Sequence, residues 1–467
     1  MKSPLHIPLL FLAAAAGLAA QETEIHCTDG SRIRGSMNGI ETDRILFESD
    51  FLADPVPLRL DKILQLTLPI HRDLGKADHV ATVTLSNGDV IRGELTGVDE
   101  SKITISTWFA DELQFRRSMV DTLEIRDRPE LLYAGPNSLD EWTQTSEESW
   151  TFARDSLRSD GSGTISKDVK IPKKSSISFD LAWRTNPRFR FLFYSDDATA
   201  ERPENCYELT FQSRYVRLDK HWSQGDRVGN DTVGSANVSE LLSKEKCRIE
   251  ILTDKTAGTI RMLVNDRIAA DWVDINPPVG EFGGAVHFNS PDGTPIRVSR
   301  IDVTTWDGHL EGSAPNQMGL GWDSDDIVQP QEESTADPDR IRLRNNDMVS
   351  GKLLGIENGN VNLETPFGEV SLPVSRLRTF TLHTEEERDD WELGLYEIPK
   401  LYRGDVRAWF PDGGKITFQL EGVADGKLKG RAQPFGTAEF DQRAFSRIEF
   451  NLYDSEFDEL RNFDSWD

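Results

Sequence analysis

The chain is poor in cysteine, in basic residues and in helical periodicity, and each shortage removes a class of protein. Cys27, Cys206 and Cys247 are the only cysteines in 467 residues, so a disulfide-knit scaffold is excluded. In an oxidising compartment they allow one bridge and one odd thiol. Cys206 and Cys247 each open a strand-like run in the same region and are the pair to test; two buried free thiols is the competing expectation. Past residue 20 no stretch of about 18 consecutive apolar residues occurs, so no membrane-spanning helix is expected. Lysine and arginine number 53 against 80 aspartates and glutamates, a formal charge of −27. That balance disfavours nucleic acid and anionic membranes, and suits a neutral, cationic or metal-bridged partner. The histidines are scattered without the paired spacing of a zinc site.

What is present begins with MKSPLHIPLLFLAAAAGLAA: one lysine, an apolar run from Ile7 to Ala16, and small residues to Ala20. Residues 1–20 therefore have the layout of a secretory signal peptide, which predicts export to the periplasm or the extracellular space. In the rest of the chain, 35 glycines and 22 prolines punctuate alternating apolar and polar runs, and the expected class is all-β.

One short pattern occurs four times: DGSRIRGSMNGI (29–40), NGDVIRGELTGV (87–98), NNDMVSGKLLGI (345–356) and DGGKITFQLEGV (412–423). Each opens on a turn and passes Gly35, Gly93, Gly351 or, in the fourth copy, Phe418. Each closes on Gly39, Gly97, Gly355 or Gly422 before a β-branched residue. A phased ladder follows, with Leu66, Leu123, Phe380 and Ile448 at equivalent places. Asn-Gly and Asp-Gly supply the positive φ of a tight hairpin, and glycine inside a strand marks a bulge or a sharp bend. Four small bent β-barrels of four or five strands are predicted, at 22–70, 78–127, 339–383 and 401–453. The fourth, which has lost its first glycine, is expected to depart most from the others.

The second copy, VTLSNGDVIRGELTGVDESKITIS followed by LQFRRSMVDTLEI, resembles the paired sequence motifs of Sm-like barrels, relatives of the SH3-type barrel. In nucleic-acid-binding members that resemblance implies a turn Asn and a later Arg-Gly. Here Glu100-Ser101-Lys102 and Arg117-Ser118 stand in those places, so the fold is expected and RNA binding is not.

Residues 130–310 have a different texture: many alternating strands, among them SISFDLAW, RFRFLFYS, YELTFQSRYVRLD, CRIEILTD and GGAVHFNS, parted by turn signals. This spacing predicts a two-sheet jelly-roll sandwich, flanked by two barrel repeats on each side in chain order. Trp142 and Trp150, SISFDLAW, YELTFQSRYVRLDK and the CRIEI…TIRMLVNDRIAADW hairpin resemble the concanavalin-A-like lectin/glucanase sandwich, in the form of the exported bacterial 3-keto-disaccharide hydrolase-type domain. The resemblance implies a sugar-directed function.

Alternation assigns Phe179, Leu181, Phe191, Phe193, Leu209, Phe211, Val216, Leu218, Ile249 and Ile251 to the core. The opposite faces supply candidate ligand-binding residues: Asp180, Arg190, Tyr194, Glu208, Gln212, Arg217, His221 and His287, with Tyr215 or Trp222 nearby to stack on a pyranose. An ordinary solvated face laced with cross-strand ion pairs is the competing reading. The Glu-x-Asp-x-x-Glu strand of sandwich-fold glucanases is missing, so no catalytic residue is assigned. The acidic run at 311–338 reads as a linker, 384–400 as a helical connector and 454–467 as an acidic tail. No cofactor is assigned, although such sandwiches leave room for a structural calcium. Three functions follow: a non-catalytic exported protein binding glycan on the sandwich face, a glycoside or 3-keto-glycoside hydrolase using carboxylates there, or a structural cell-envelope assembly protein with a protein partner.

Overall fold

The computed structural model describes residues 23–41, 43–50, 52–71, 79–145, 149–184, 186–243, 245–276, 281–308, 340–344, 347–357, 359–383 and 396–462. The expected signal peptide, the linker at 311–338 and residues 384–395 of the helical connector expected over 384–400 lie outside them, while 396–400 are described and are not helical. The chain is all-β and its sheets are antiparallel. It divides into two compact units. Met1–Arg72 with Leu401–Ala432 and Thr437–Tyr453 brings the first and fourth repeats together. Asp73–Lys400, with Gln433–Gly436 and Asp454–Asp467, holds the second and third repeats and the sandwich.

The second repeat shows how the pattern folds. His79–Leu85 pairs on one side with Val90–Val98 and on the other with the last strand, Val120–Asp127. Val90–Val98 continues onto Lys102–Thr107 and then Asp111–Arg116. A single 3-10 turn precedes the last strand in every copy: Leu60–Lys62, Arg117–Met119, Val374–Arg376 and Gln442–Ala444. At the opening turn Gly88 adopts φ 79° while the Asn87 carbonyl side chain accepts the Asp89 N–H at 3.1 Å. Residues Gly30 (φ 85°) and Gly413 (φ 86°) do the same in their copies, with Asp29 and Asp412 accepting from Ser31 and Gly414. The second glycine of the motif falls at a register shift in all four copies, between Met37 and Gly39, Leu95 and Gly97, Leu353 and Gly355, and Leu420 and Gly422. A bulge there bends the long strand, which in the second repeat pairs with His79–Leu85 over its first half and with Lys102–Thr107 over its second.

The fourth copy is not the outlier. A Cβ on Gly93 would stand 2.7 Å from the Ser106 carbonyl oxygen, which is why that position is small. Phe418 fills the same place because the facing strand supplies Gly430, whose added Cβ would meet the Phe418 ring at 2.2 Å. Copy two has glycine facing Ile105 and copy four has phenylalanine facing glycine, so the volume is exchanged and the packing is kept. Its long strand runs unbroken from Lys415 to Ala424, whereas in the third copy Gly351 interrupts it between Met348–Ser350 and Lys352–Glu357.

The repeats associate through their last strands. Leu66 stands opposite Ile448, and Leu123 opposite Phe380. These are equivalent positions of the ladder, so each pair of repeats meets as a symmetric dimer would, residue facing its own counterpart. Ile40 and Val423, again equivalent, pair across the first unit.

Within the second unit the sandwich packs an eight-stranded sheet on a seven-stranded one. The eight-stranded sheet carries Lys174–Trp183, Lys246–Asp254 and Ile296–Thr305; the other runs in the order 143–144, 163–168, 285–290, 188–195, 206–212, 215–224, 227–237. All the side chains assigned by alternation to the core are at 0% exposure in one cluster. Phe179 bridges the sheets, its ring centroid 4.9 Å from Phe191 and 5.2 Å from Phe288. The tail is helical over Ser455–Asn462.

Candidate functional site

The outer face of the seven-stranded sheet is built by parity. Because Leu209 and Phe211 point into the core, Glu208, Thr210 and Gln212 must point out, and register places them in rows. One row runs Asn289, Arg190, Thr210, Arg217, Ser235. The next runs His287, Leu192, Glu208, Asp219, Thr232. Gln212 stands beside Tyr215 on one flank, and Cys206 beside His221 on the other. Of the sequence-assigned candidates, Arg190, Glu208, Gln212, Tyr215, Arg217 and His221 therefore share this face.

Two carboxylates lie at its centre on adjacent strands. Glu208 accepts from Thr210 Oγ1 at 2.9 Å and lies 3.6 Å from Arg190 Nε and 3.5 Å from His221 Nε2. Asp219 accepts from Arg217 Nε at 2.7 Å and from Thr232 Oγ1 at 2.8 Å. Burial pulls the Glu208 carboxyl upward, but the His221 ring, the Arg190 charge and Thr210 outweigh it and hold the group below the ordinary carboxylate range. The cluster combines hydrogen bonds from Thr210, Arg217 and Thr232 with closely placed Arg190 and His221 side chains, and so presents planar donors and acceptors at its surface. Thr210 and Thr232 were not assigned from sequence. Parity gives Thr210, but a register shift between Leu218 and Asp219 is what brings Thr232 to Asp219, and nothing local signals it.

The remaining candidates lie elsewhere. Alternation fails at Tyr194 because a bulge between Leu192 and Ser195 turns two successive residues inward; Tyr194 takes φ 53°. Its hydroxyl donates to the Pro172 carbonyl at 2.8 Å and lies 2.7 Å from Thr253 Oγ1, deep in the core. His287 has outward parity but is at 0% exposure, with Nε2 2.8 Å from Ser195 Oγ. It is covered by the loop 196–205, whose ends are clamped by Asp196 and Asn205 (Nδ2 to Oδ2, 2.7 Å) and whose Ala198 carbonyl accepts from Ser166 Oγ. Trp222 shares the parity of Leu218 and Lys220; it packs toward the core, lies over Gly229 and donates Nε1–H to Asp231 at 2.9 Å.

Asp180 belongs to the other sheet altogether. Arg300 donates to both its oxygens at 2.7 Å and Arg248 adds a bond at 3.2 Å. Burial opposes its ionisation, but these cations and Lys246 override that and hold the carboxyl well below the usual range. The anticipated Cys206–Cys247 bridge is also absent, for the same geometric reason. Cys247 faces the core opposite Leu181, while Cys206 faces away from it beside His221, and both are free thiols. Among the described residues no group of three or more His, Cys, Asp or Glu is arranged to hold a metal ion, and no helix is long and apolar enough to cross a membrane.

No protein-family model matches the chain. No curated protein matches it. Solved structures similar to it include the carbohydrate-binding module CBM66 from Bacillus subtilis, at 15% identity over 34% of this chain and 93% of that one, TM-score 0.26. A Bacillus subtilis protein with a galectin-like fold matches at 14% identity over 38% and 96%, TM-score 0.30. The carbohydrate recognition domain of Emp46p matches at 10% identity over 38% and 98%, TM-score 0.30.

Proposed function

We propose that this is an exported, non-catalytic protein that binds glycan on the outer face of the seven-stranded sheet. The observation that carries the reading is the convergence of Arg190, Glu208, Gln212, Tyr215, Arg217 and His221 on one side of adjacent strands, with a phenol 39% exposed at its flank. Planar hydrogen-bonding groups beside an exposed aromatic ring suit a sugar, whose ring presents hydroxyls at its rim and an apolar C–H face. The hydrolase reading has one supporting feature, the cross-strand opposition of Glu208 and Asp219. A glycosidase needs a carboxyl raised to act as acid, and the Glu208 environment moves it the other way. The flanking barrels we read as Sm-like contact modules. Their support is a single 3-10 turn before the last strand in every copy and a last strand that already serves as a pairing surface.

The test is a glycan-array screen of the chain lacking residues 1–20, with every hit retested for turnover. Binding that is lost in Glu208→Gln, without product formation by the parent, is the expected result. Turnover of a hit would transfer the site to the hydrolase class, and silence across the array would leave only the structural, envelope-assembly reading.

A further inference from the structure

The chemistry of this face is one-sided. Its carboxylates are the buried members of each pair and its guanidiniums the wet ones: the Asp219 side chain is 3% exposed against 47% for Arg217, and Glu208 is 14% exposed against 41% for Arg190. Each arginine approaches its carboxylate through Nε. No hydrogen bond from the terminal amino groups of either guanidinium is found among the described residues, and both side chains are more than 40% exposed. A guanidinium engaged at Nε retains donors in a planar fork suited to a second carboxylate. Arg190 and Arg217 occupy the same row with Thr210 between them, so the two side chains leave the sheet about 10 Å apart, two inter-strand spacings.

Resting on the glycan-binding reading, we infer that the ligand is an acidic glycan, a saccharide carrying uronate carboxylates, gripped by Arg190 and Arg217. The formal charge of −27, which disfavours anionic partners at long range, is the term that the local donors must outweigh. Charges further away than about 8 Å are largely screened at physiological ionic strength, so the local donors decide. The long-range field slows encounter without altering which sugar fits. Glu208 and Asp219 then act as positioning residues, holding each guanidinium by Nε with its free edge outward.

The experiment titrates the chain lacking residues 1–20 with galacturonate, glucuronate and mannuronate oligosaccharides, and with carboxyl-reduced neutral counterparts of equal length. At least one uronate series is expected to bind ten-fold or more tightly than its reduced form, and to weaken as salt is raised. Arg190→Gln should reduce that preference several-fold, and Arg190→Lys should restore part of it. Arg190 is the chosen site because Glu208 keeps Thr210 and His221 when the guanidinium is gone. Equal affinity for acidic and neutral forms overturns the inference and leaves the glycan reading standing. Absence of binding to every saccharide, acidic or neutral, overturns both.

Discussion

The two sheets of the sandwich carry outward clusters of the same residue types, and they are put to different uses. On the eight-stranded sheet, Asp180 sits at 4% exposure beside a register shift, gripped by two donors on one edge of Arg300 and by Arg248. Arg248 also bonds Ser178 Oγ at 2.6 Å, Asp302 at 3.2 Å and the Arg300 carbonyl at 3.0 Å, so both its terminal nitrogens are engaged twice. On the seven-stranded sheet, Arg217 gives Asp219 a single hydrogen bond through Nε, Arg190 stands 3.6 Å from Glu208, and both side chains are more than 40% exposed. The first arrangement is a staple across three strands. The second is a surface with bonds still to make. Whether an Asp–Arg pair fastens or recognises depends on how many donors remain unspent, and that is set by the neighbouring strands.

The contrast breaks most directly at the staple. Asp180→Ala leaves two guanidiniums facing a partly buried void, and should reduce unfolding free energy by roughly 3–5 kcal/mol in urea titration. A loss under about 1 kcal/mol would show the cluster to be solvated like its counterpart. Next in size is a pH effect under the loop 196–205. Burial pushes the His287 imidazole down to about 4, against about 6.5 in an unfolded chain. The depressed group stays neutral when folded, so stability is complete above pH 6.5 and declines between pH 6.5 and 4, where only the unfolded state takes up the proton. The slope approaches about 1.4 kcal/mol per pH unit, and His287→Asn should flatten it. A parent protein with a flat profile in that window would mean that the loop does not seal the ring.

Glu208→Gln should cost only about 1–2 kcal/mol in stability yet reduce glycan affinity at least ten-fold, the reverse of the balance at Asp180. The smallest effects separate two aromatic residues. Tyr215→Ala should weaken binding a few-fold with stability unchanged. Trp222→Phe should leave binding unchanged and remove about 1 kcal/mol by deleting the bond to Asp231. Calorimetric titration beside thermal melts distinguishes the two; equal binding losses would mean that Trp222 swings out to the ligand.

Much of the site was legible in residue order. Parity alone places Arg190, Glu208, Gln212, Arg217 and His221 together, because a strand must hide one side of every pair. Parity also contained the correct position of Trp222, in step with Leu218. Tyr194 was not legible, since one extra residue at a bulge reverses everything after it. His287 has the right parity and the wrong accessibility, because a loop closed by Asp196 and Asn205 lies over it.

Short-range physics determined what the sequence could determine: turns where Asx-Gly allows positive φ, bends where two glycines punctuate a strand, and a core from period-two alternation. Tertiary structure decided which copies meet, joining the first repeat to the fourth and the second to the third through equivalent residues. It also decided that Phe418 is answered by Gly430, and that one Asp–Arg cluster is sealed while the other stays open. Those outcomes depend on partners far away in the chain, and a local pattern carries no record of the distant strand that completes its hydrogen bonds.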